Sequence, residues 1–230
     1  MARELAGALR AQEADPFGGG GGPPQEQVPA TSEPLQLPSG EKAIQQKAGT
    51  ALALVTLEAR EISSATLKDA LEIGTKCFPR EEDHRAMVEV YNRYISGSRQ
   101  YFDKDLESQL NLLSYWVYYD RFSGQRAGIG GLFSEGDKDP TVWMAWIAVD
   151  PDYVAGICRL PKGVPTPTQQ MLLHQQHTAR EFGFTTLNAY TYDSPDNLLP
   201  QAMYERNGFT QTGTFELEGH RQRIYEIRLR

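Results

Sequence analysis

The chain has 230 residues, a formal net charge of −7 and a pI near 5.2, an acidity that weighs against a nucleic-acid backbone as the main partner and suits a cationic substrate such as an amine. Two cysteines, Cys77 and Cys158, are too few for a disulfide framework or a cysteine-rich metal cluster, and no apolar run reaches the length of a membrane span. The first residues lack the basic-then-apolar order of a secretory signal, and Glu4, Glu13 and Asp15 argue against a transit peptide, so a soluble cytoplasmic protein that binds neither membrane nor nucleic acid is expected.

Residues 1–48 read as a disordered low-complexity tail. Gly18–Gly22 is an unbroken glycine run, followed by Pro23, Pro24 and a Gln-, Glu-, Ser- and Pro-rich stretch. Such a segment buries too little apolar surface to offset the entropy of ordering it. Only Met1–Ala14 has helical character. Residues 49–230 are left for one domain with a real core.

Ala51–Ile62, alternating late in its course, suits a first strand. Thr66 with Asp69 gives a capping-box-like start to a helix with a face of Leu67, Ala70, Leu71 and Gly74, ended by Pro79. A second helix, roughly Asp83–Ile95, carries Met87, Val88, Val90, Tyr91 and Tyr94 and closes at Gly97. Ser114–Arg121 and Ala127–Phe133 flank a turn containing Ser123 and Gly124, a hairpin signal. The polar loop Ser134–Pro140 leads into Thr141–Val149, an apolar run typical of a central buried strand. After an irregular segment come a helix over Thr168–Phe182, a strand over Thr185–Tyr192, a helix over Asn197–Asn207, and strands at about Thr210–Glu218 and Arg223–Leu229. The order β-α-α-β-β-β-α-β-α-β-β predicts an α/β protein, a central mixed sheet flanked by helices.

Thr191–Phe209, TYDSPDNLLPQAMYERNGF, is the most informative stretch. Asn197 stands two helical turns before Tyr204, Gly208 falls where a helix end takes a left-handed residue, and Phe209 can fold back as its apolar contact. Read locally this is a helix with a buried tyrosine and a glycine stop. Its pattern N-x6-Y-E-x-x-G-F also resembles the last motif of the GNAT superfamily of acyl-coenzyme A-dependent N-acyltransferases. The preceding helix is similar to the family's too, with Met171-Leu172, Ala179 and Gly183-Phe184 in the same spacing. The element order of residues 50–230 matches the GNAT fold.

The resemblance implies acetyl-CoA as acyl donor, lying between Val142–Val149 and Thr185–Tyr192. Its pantetheine arm is then held by main-chain groups about Ile147 and Val149, and Asn197 holds the arm or the turn. Tyr204 becomes the general acid that protonates the departing thiolate. The family sets the coenzyme's pyrophosphate on the N-terminus of the helix after the central strand, behind a glycine-rich loop. In this chain the loop Tyr153–Gln170 is longer, and Thr166 and Thr168 stand at the aligned glycine positions. Arg159, Lys162 and the two threonine hydroxyls are the candidates for a remodelled phosphate site. Glu135 and Asp137, in the loop before the central strand, are base candidates by position. Trp143 and Trp146 suit either core packing or an apolar acceptor pocket. His174 and His177 stand three apart with no third ligand nearby, so no metal is assigned.

The expectation is an N-acetyltransferase that moves an acetyl group to a primary amine, small-molecule or peptide, by direct attack in a ternary complex. A monomer or homodimer is expected. The alternative is a GNAT-fold binding or regulatory module with weakened or lost coenzyme A binding.

Overall fold

The structure, a computed structural model, describes residues 56–103, 108–136, 140–156, 163–194, 198–217 and 219–230. All belong to the unit Val55–Arg230; the expected tail, residues 1–48, lies outside the described residues. In chain order the elements are β1 (Leu57–Glu61), α1 (Leu67–Cys77), α2 (Glu81–Ile95), β2 (Gln100–Asp103), β3 (Ser108–Asp120), β4 (Arg126–Glu135) and β5 (Thr141–Val149). They continue with α3 (Pro151–Gly156), α4 (Pro167–Glu181), β6 (Thr186–Tyr192), α5 (Leu198–Arg206), β7 (Thr210–Leu217) and β8 (His220–Arg228). The expected order holds, with β2 and α3 added.

One eight-stranded mixed sheet runs β1-β3-β4-β5-β6-β8-β7. β3 begins six residues before the expected Ser114, with Leu110 and Leu112 already turned inward. Its length lets one edge serve two partners: Trp116–Asp120 pairs with β1 and Ser108–Asn111 with β2. All neighbours are antiparallel except β5 and β6, which run parallel.

Each face of the sheet carries a helical layer. On one, Ile73, Met87, Val90, Tyr91 and Tyr94 of α1 and α2 pack on Leu112, Tyr115, Val117 and Ile129. On the other, Met171, Leu172 and Ala179 of α4 pack on Tyr118, Leu132, Val142 and Leu187, in one cluster with Tyr204 and Tyr225. Both amphipathic stripes follow from the helical spacing of these residues.

Local signals mostly held, with one correction at α1. Thr66 precedes the helix but makes no side-chain cap; its hydroxyl accepts the Ser63 N–H at 2.9 Å and donates to the Glu61 carbonyl at 3.2 Å. Asp69, the other half of the expected capping box, accepts from the Tyr119 hydroxyl at 2.6 Å instead. Tertiary partners outcompeted the local cap.

The two histidines of α4 also separate. His177 is exposed beside Glu181 at 3.3 Å. His174 turns to the sheet, its Nδ1 3.0 Å from the Tyr118 hydroxyl and its ring edge-on to Trp116 at 4.8 Å. Burial, helped by His177, pulls its pKa from 6.5 down to about 4. The unfolded chain therefore binds this proton more tightly, so the neutral ring's contribution is complete above pH 6.5 and is lost as pH falls towards 4. An acid-side stability loss of about 3 kcal/mol at most is expected. His174→Gln, which does not titrate, should flatten urea-unfolding stability between those pH values; an unchanged slope would assign the acid loss elsewhere.

Candidate active site

The site begins where two parallel strands part. β5 and β6 pair only over Thr141–Trp143 and Thr186–Asn188. Beyond that point β6 stays paired to β8 as far as Tyr192. The β6-facing main-chain groups of Met144–Val149 meet no strand among the described residues, so a wedge opens towards the C-terminal ends of both strands.

A β-bulge reshapes β5 inside this wedge. Gly131 pairs with Ala145 and Ile129 with Ala148, so Trp146 and Ile147 together stand opposite Gly130. Trp146 has φ 44°, a left-handed conformation that a bulky residue holds only when its surroundings impose it. Its ring is set edge-on to Tyr91 at 5.7 Å and lies 6.2 Å from Tyr115. The extra residue resets the alternation. Ala145 and Trp146 both pack on the α1–α2 face, whereas Ile147 and Val149 pack on the face that holds Tyr204. Trp143 stays in the core, stacked near Phe133 at 6.5 Å.

Tyr204 is 5% exposed. Its ring stacks on Tyr225 at 5.2 Å and tilts against Phe209 at 5.4 Å. Gly208 takes φ 86° and Phe209 N–H donates to the Tyr204 carbonyl at 3.1 Å, the helix stop read from the sequence. Burial first, and Tyr225 second, hold the Tyr204 phenol's pKa well above its usual value, so it remains protonated. Gln201 ties α5 to the end of β6, its amide donating to the Tyr192 carbonyl at 3.1 Å.

α4 descends on the open end of the wedge. Gly128 and Gly130 of β4 make room for it: a Cβ at Gly128 would meet Met171 Sδ at 2.8 Å, and one at Gly130 would meet Gln175 Nε2 at 2.4 Å. The first turn of α4 is closed on itself. Thr166 Oγ1 accepts the Gln169 N–H at 3.3 Å, and Gln169 Oε1 accepts the Thr166 N–H at 2.9 Å, a complete capping box. Pro167 at the first helical position has no N–H. Gln170, 3% exposed, fixes the turn from below. Its Oε1 accepts the N–H groups of Thr56 and Leu57 at 2.9 and 3.1 Å, and its Nε2 donates to the Pro165 carbonyl at 2.8 Å.

A network of charges braces the same open end from the other face. Asp150, next after β5 and 1% exposed, accepts from Lys76 Nζ at 3.1 Å, Arg126 Nε at 3.0 Å and the Asp152 N–H at 3.0 Å. Arg126 also reaches Asp69 at 3.4 Å and contacts Glu72. These contacts join α1, β4, β5 and α3.

Ile147, Val149 and Tyr204 therefore share one face of the sheet. Thr166 and Thr168 form the start of α4 on that same side. Glu135 does not join them: it ends β4 beside the paired start of β5, five residues from Gly130 and so about 16 Å from the bulge. Asn197, Arg159, Lys162 and Asp137 lie outside the described residues. Sequence reasoning missed Gln169, Gln170 and Asp150. The T-x-x-Q spacing of Thr166 and Gln169 was the available signal for the first; the other two depend on partners 24 to 114 residues away.

Solved structures with the same architecture are acetyltransferases by description. A candidate acetyltransferase of the GNAT family from Desulfovibrio desulfuricans superposes with a TM-score of 0.57 at 17% identity, over 76% of this chain and 99% of its own. Spermidine N-acetyltransferase from Vibrio cholerae, in complex with CoA and spermine, gives 0.52 at 14% identity, over 76% and 96%. The ribosomal L7/L12 alpha-N-protein acetyltransferase gives 0.50 at 15% identity, over 76% and 91%. No protein-family model and no curated protein matches the sequence.

Proposed function

From the premise that the chain has a GNAT-type fold, we propose that it is an N-acyltransferase moving an acetyl group from an acetyl thioester, acetyl-CoA in the first instance, to a primary amine in a ternary complex. The observation that carries this is the wedge between β5 and β6 with the bulge at Trp146 and Ile147 inside it. An extended amide-bearing arm fits such a gap by strand addition. The two ends of the wedge fit a coenzyme A thioester differently. The edge of Met144–Val149 that faces β6, without a strand partner among the described residues, matches the pantetheine arm, whereas the self-capped start of α4 has few donors left for a diphosphate.

The thioester supplies an acyl carbon activated towards amines. The chain's part is placement and polarisation. A main-chain N–H of the bulge at Trp146 and Ile147 is the donor this reading assigns to the acyl oxygen. Tyr204, kept protonated by its burial, holds a proton at its phenol oxygen for the sulfur. Glu135 is too far along β4 to take the amine's proton directly, so the proton leaves through another group or through solvent. The acceptor is a small-molecule or peptide amine, and a cytoplasmic monomer or homodimer belongs to the same proposal. The closed start of α4 favours one second reading, a binding or regulatory module on the same fold.

Tyr204→Phe separates the readings. It should lower kcat for acetyl transfer about a hundredfold while leaving donor affinity by calorimetry within about twofold. Equal turnover would remove Tyr204 from the acid role. No detectable donor binding at millimolar concentration would sink the enzyme reading in favour of the module.

A further inference from the structure

We propose that this chain recognises its acyl donor through the pantetheine arm alone, with the donor's diphosphate contributing little, so that diphosphate-free pantetheine thioesters are donors comparable to coenzyme A thioesters. The inference rests on the acyltransferase reading and narrows its substrate class.

A helix N-terminus binds phosphate because its first N–H groups have no partner inside the helix and point at the anion together. In α4 most of those donors are already spent. The Thr166 N–H goes to Gln169 Oε1 at 2.9 Å, Pro167 has none, and the Gln169 N–H goes to Thr166 Oγ1 at 3.3 Å. The Gln170 N–H makes its ordinary intrahelical bond to the Thr166 carbonyl at 2.9 Å. Among the described residues only the Thr168 N–H of the first turn remains uncommitted.

The backbone at the helix start is also pinned. A phosphate-closing loop needs residues that turn freely at the helix start, yet Pro165 and Pro167 fix φ on either side of Thr166. The Pro165 carbonyl is held by buried Gln170, whose other end is locked onto the main chain of Thr56 and Leu57. Opening this turn for a diphosphate would break the capping box and take from the buried Gln170 amide its Pro165 acceptor. The chain's formal charge of −7 opposes a polyanion further. By contrast, the edge of Met144–Val149 that faces β6, which meets no strand among the described residues, is neutral and suited to the amides of a pantetheine arm.

Calorimetry on the full chain tests this with coenzyme A and pantetheine as probes. Dissociation constants within about fivefold of one another are expected, with little change for either between low and moderate salt. Thr166→Gly removes the hydroxyl that occupies the Gln169 N–H and the β-carbon that stiffens the turn. It should tighten coenzyme A severalfold and leave pantetheine unchanged. Coenzyme A binding more than about thirtyfold tighter than pantetheine in the unaltered chain would overturn the inference while leaving the acyltransferase reading standing. Binding of neither probe at millimolar concentration would bring down both.

Discussion

Asp150→Ala is expected to lower unfolding free energy by about 3–5 kcal/mol in urea titrations. The carboxylate is 1% exposed, and it is the shared acceptor for Lys76 and Arg126 as well as for the Asp152 N–H. Its removal leaves two cations facing each other across the space it filled. They are 31% and 25% exposed, so water offsets part of the loss; Arg126 keeps Asp69 and Glu72, and Lys76 keeps Asp152 at 2.5 Å. The low end of the range is therefore the better guide. Adding Lys76→Met should recover part of the stability, because one of the two facing cations is then absent. A loss below about 1 kcal/mol would mean the network behaves as an ordinary surface cluster.

Gly131→Ala is expected to cost about 3 kcal/mol, more than Gly130→Ala one residue away. A β-carbon at Gly131 would sit 2.2 Å from Tyr115 Cδ1 and 2.5 Å from Cε1. The Tyr115 ring is 2% exposed and wedged against Tyr91 at 5.7 Å and Tyr94 at 5.4 Å, so it cannot step aside. At Gly130 the obstruction is the far end of the Gln175 side chain, a softer obstacle than a ring. Combining Gly131→Ala with Tyr115→Leu in a double-mutant cycle should show strong favourable coupling. Because Tyr115 also backs Trp146, Gly131→Ala should weaken thioester binding as well; stability loss with untouched binding would mean the bulge does not depend on that ring.

The sequence made the architecture legible where each element had its own period or stop. Thr141–Val149 matches β5 in full, α5 ends at the glycine read for it, and α1, α2 and α4 start within about two residues of expectation. β2 escaped notice because Gln100–Asp103 is four residues on a sheet edge, half exposed, with too little alternation to register. The short α3 lay inside a stretch that seemed irregular. At the site, Tyr204 was legible because its helix, cap and apolar neighbour lie within five residues. The left-handed Trp146 was not, since nothing in TVWMAWIAV marks which residue will be extruded; Gly130 and Tyr115 across the sheet decide that. Chain proximity to β5 suggests that Glu135 is near the chemistry, but proximity to β5 is not proximity to the open end of the wedge. The antiparallel run of β4 puts it at the closed end.

The buried amide of Gln170 has a further consequence, for the order in which the molecule assembles. It joins Thr56 and Leu57 to the start of α4 across 113 to 114 residues of chain, so closing that loop carries a large entropic cost before any bond repays it. The first strand and the first turn of α4 thus complete one another late, as a single latch. In native-state hydrogen exchange the amides of Thr56, Leu57 and Gln169 should open together, at a lower free energy than the central strands. The segment entering the domain and the helix start beside the wedge are mechanically one unit.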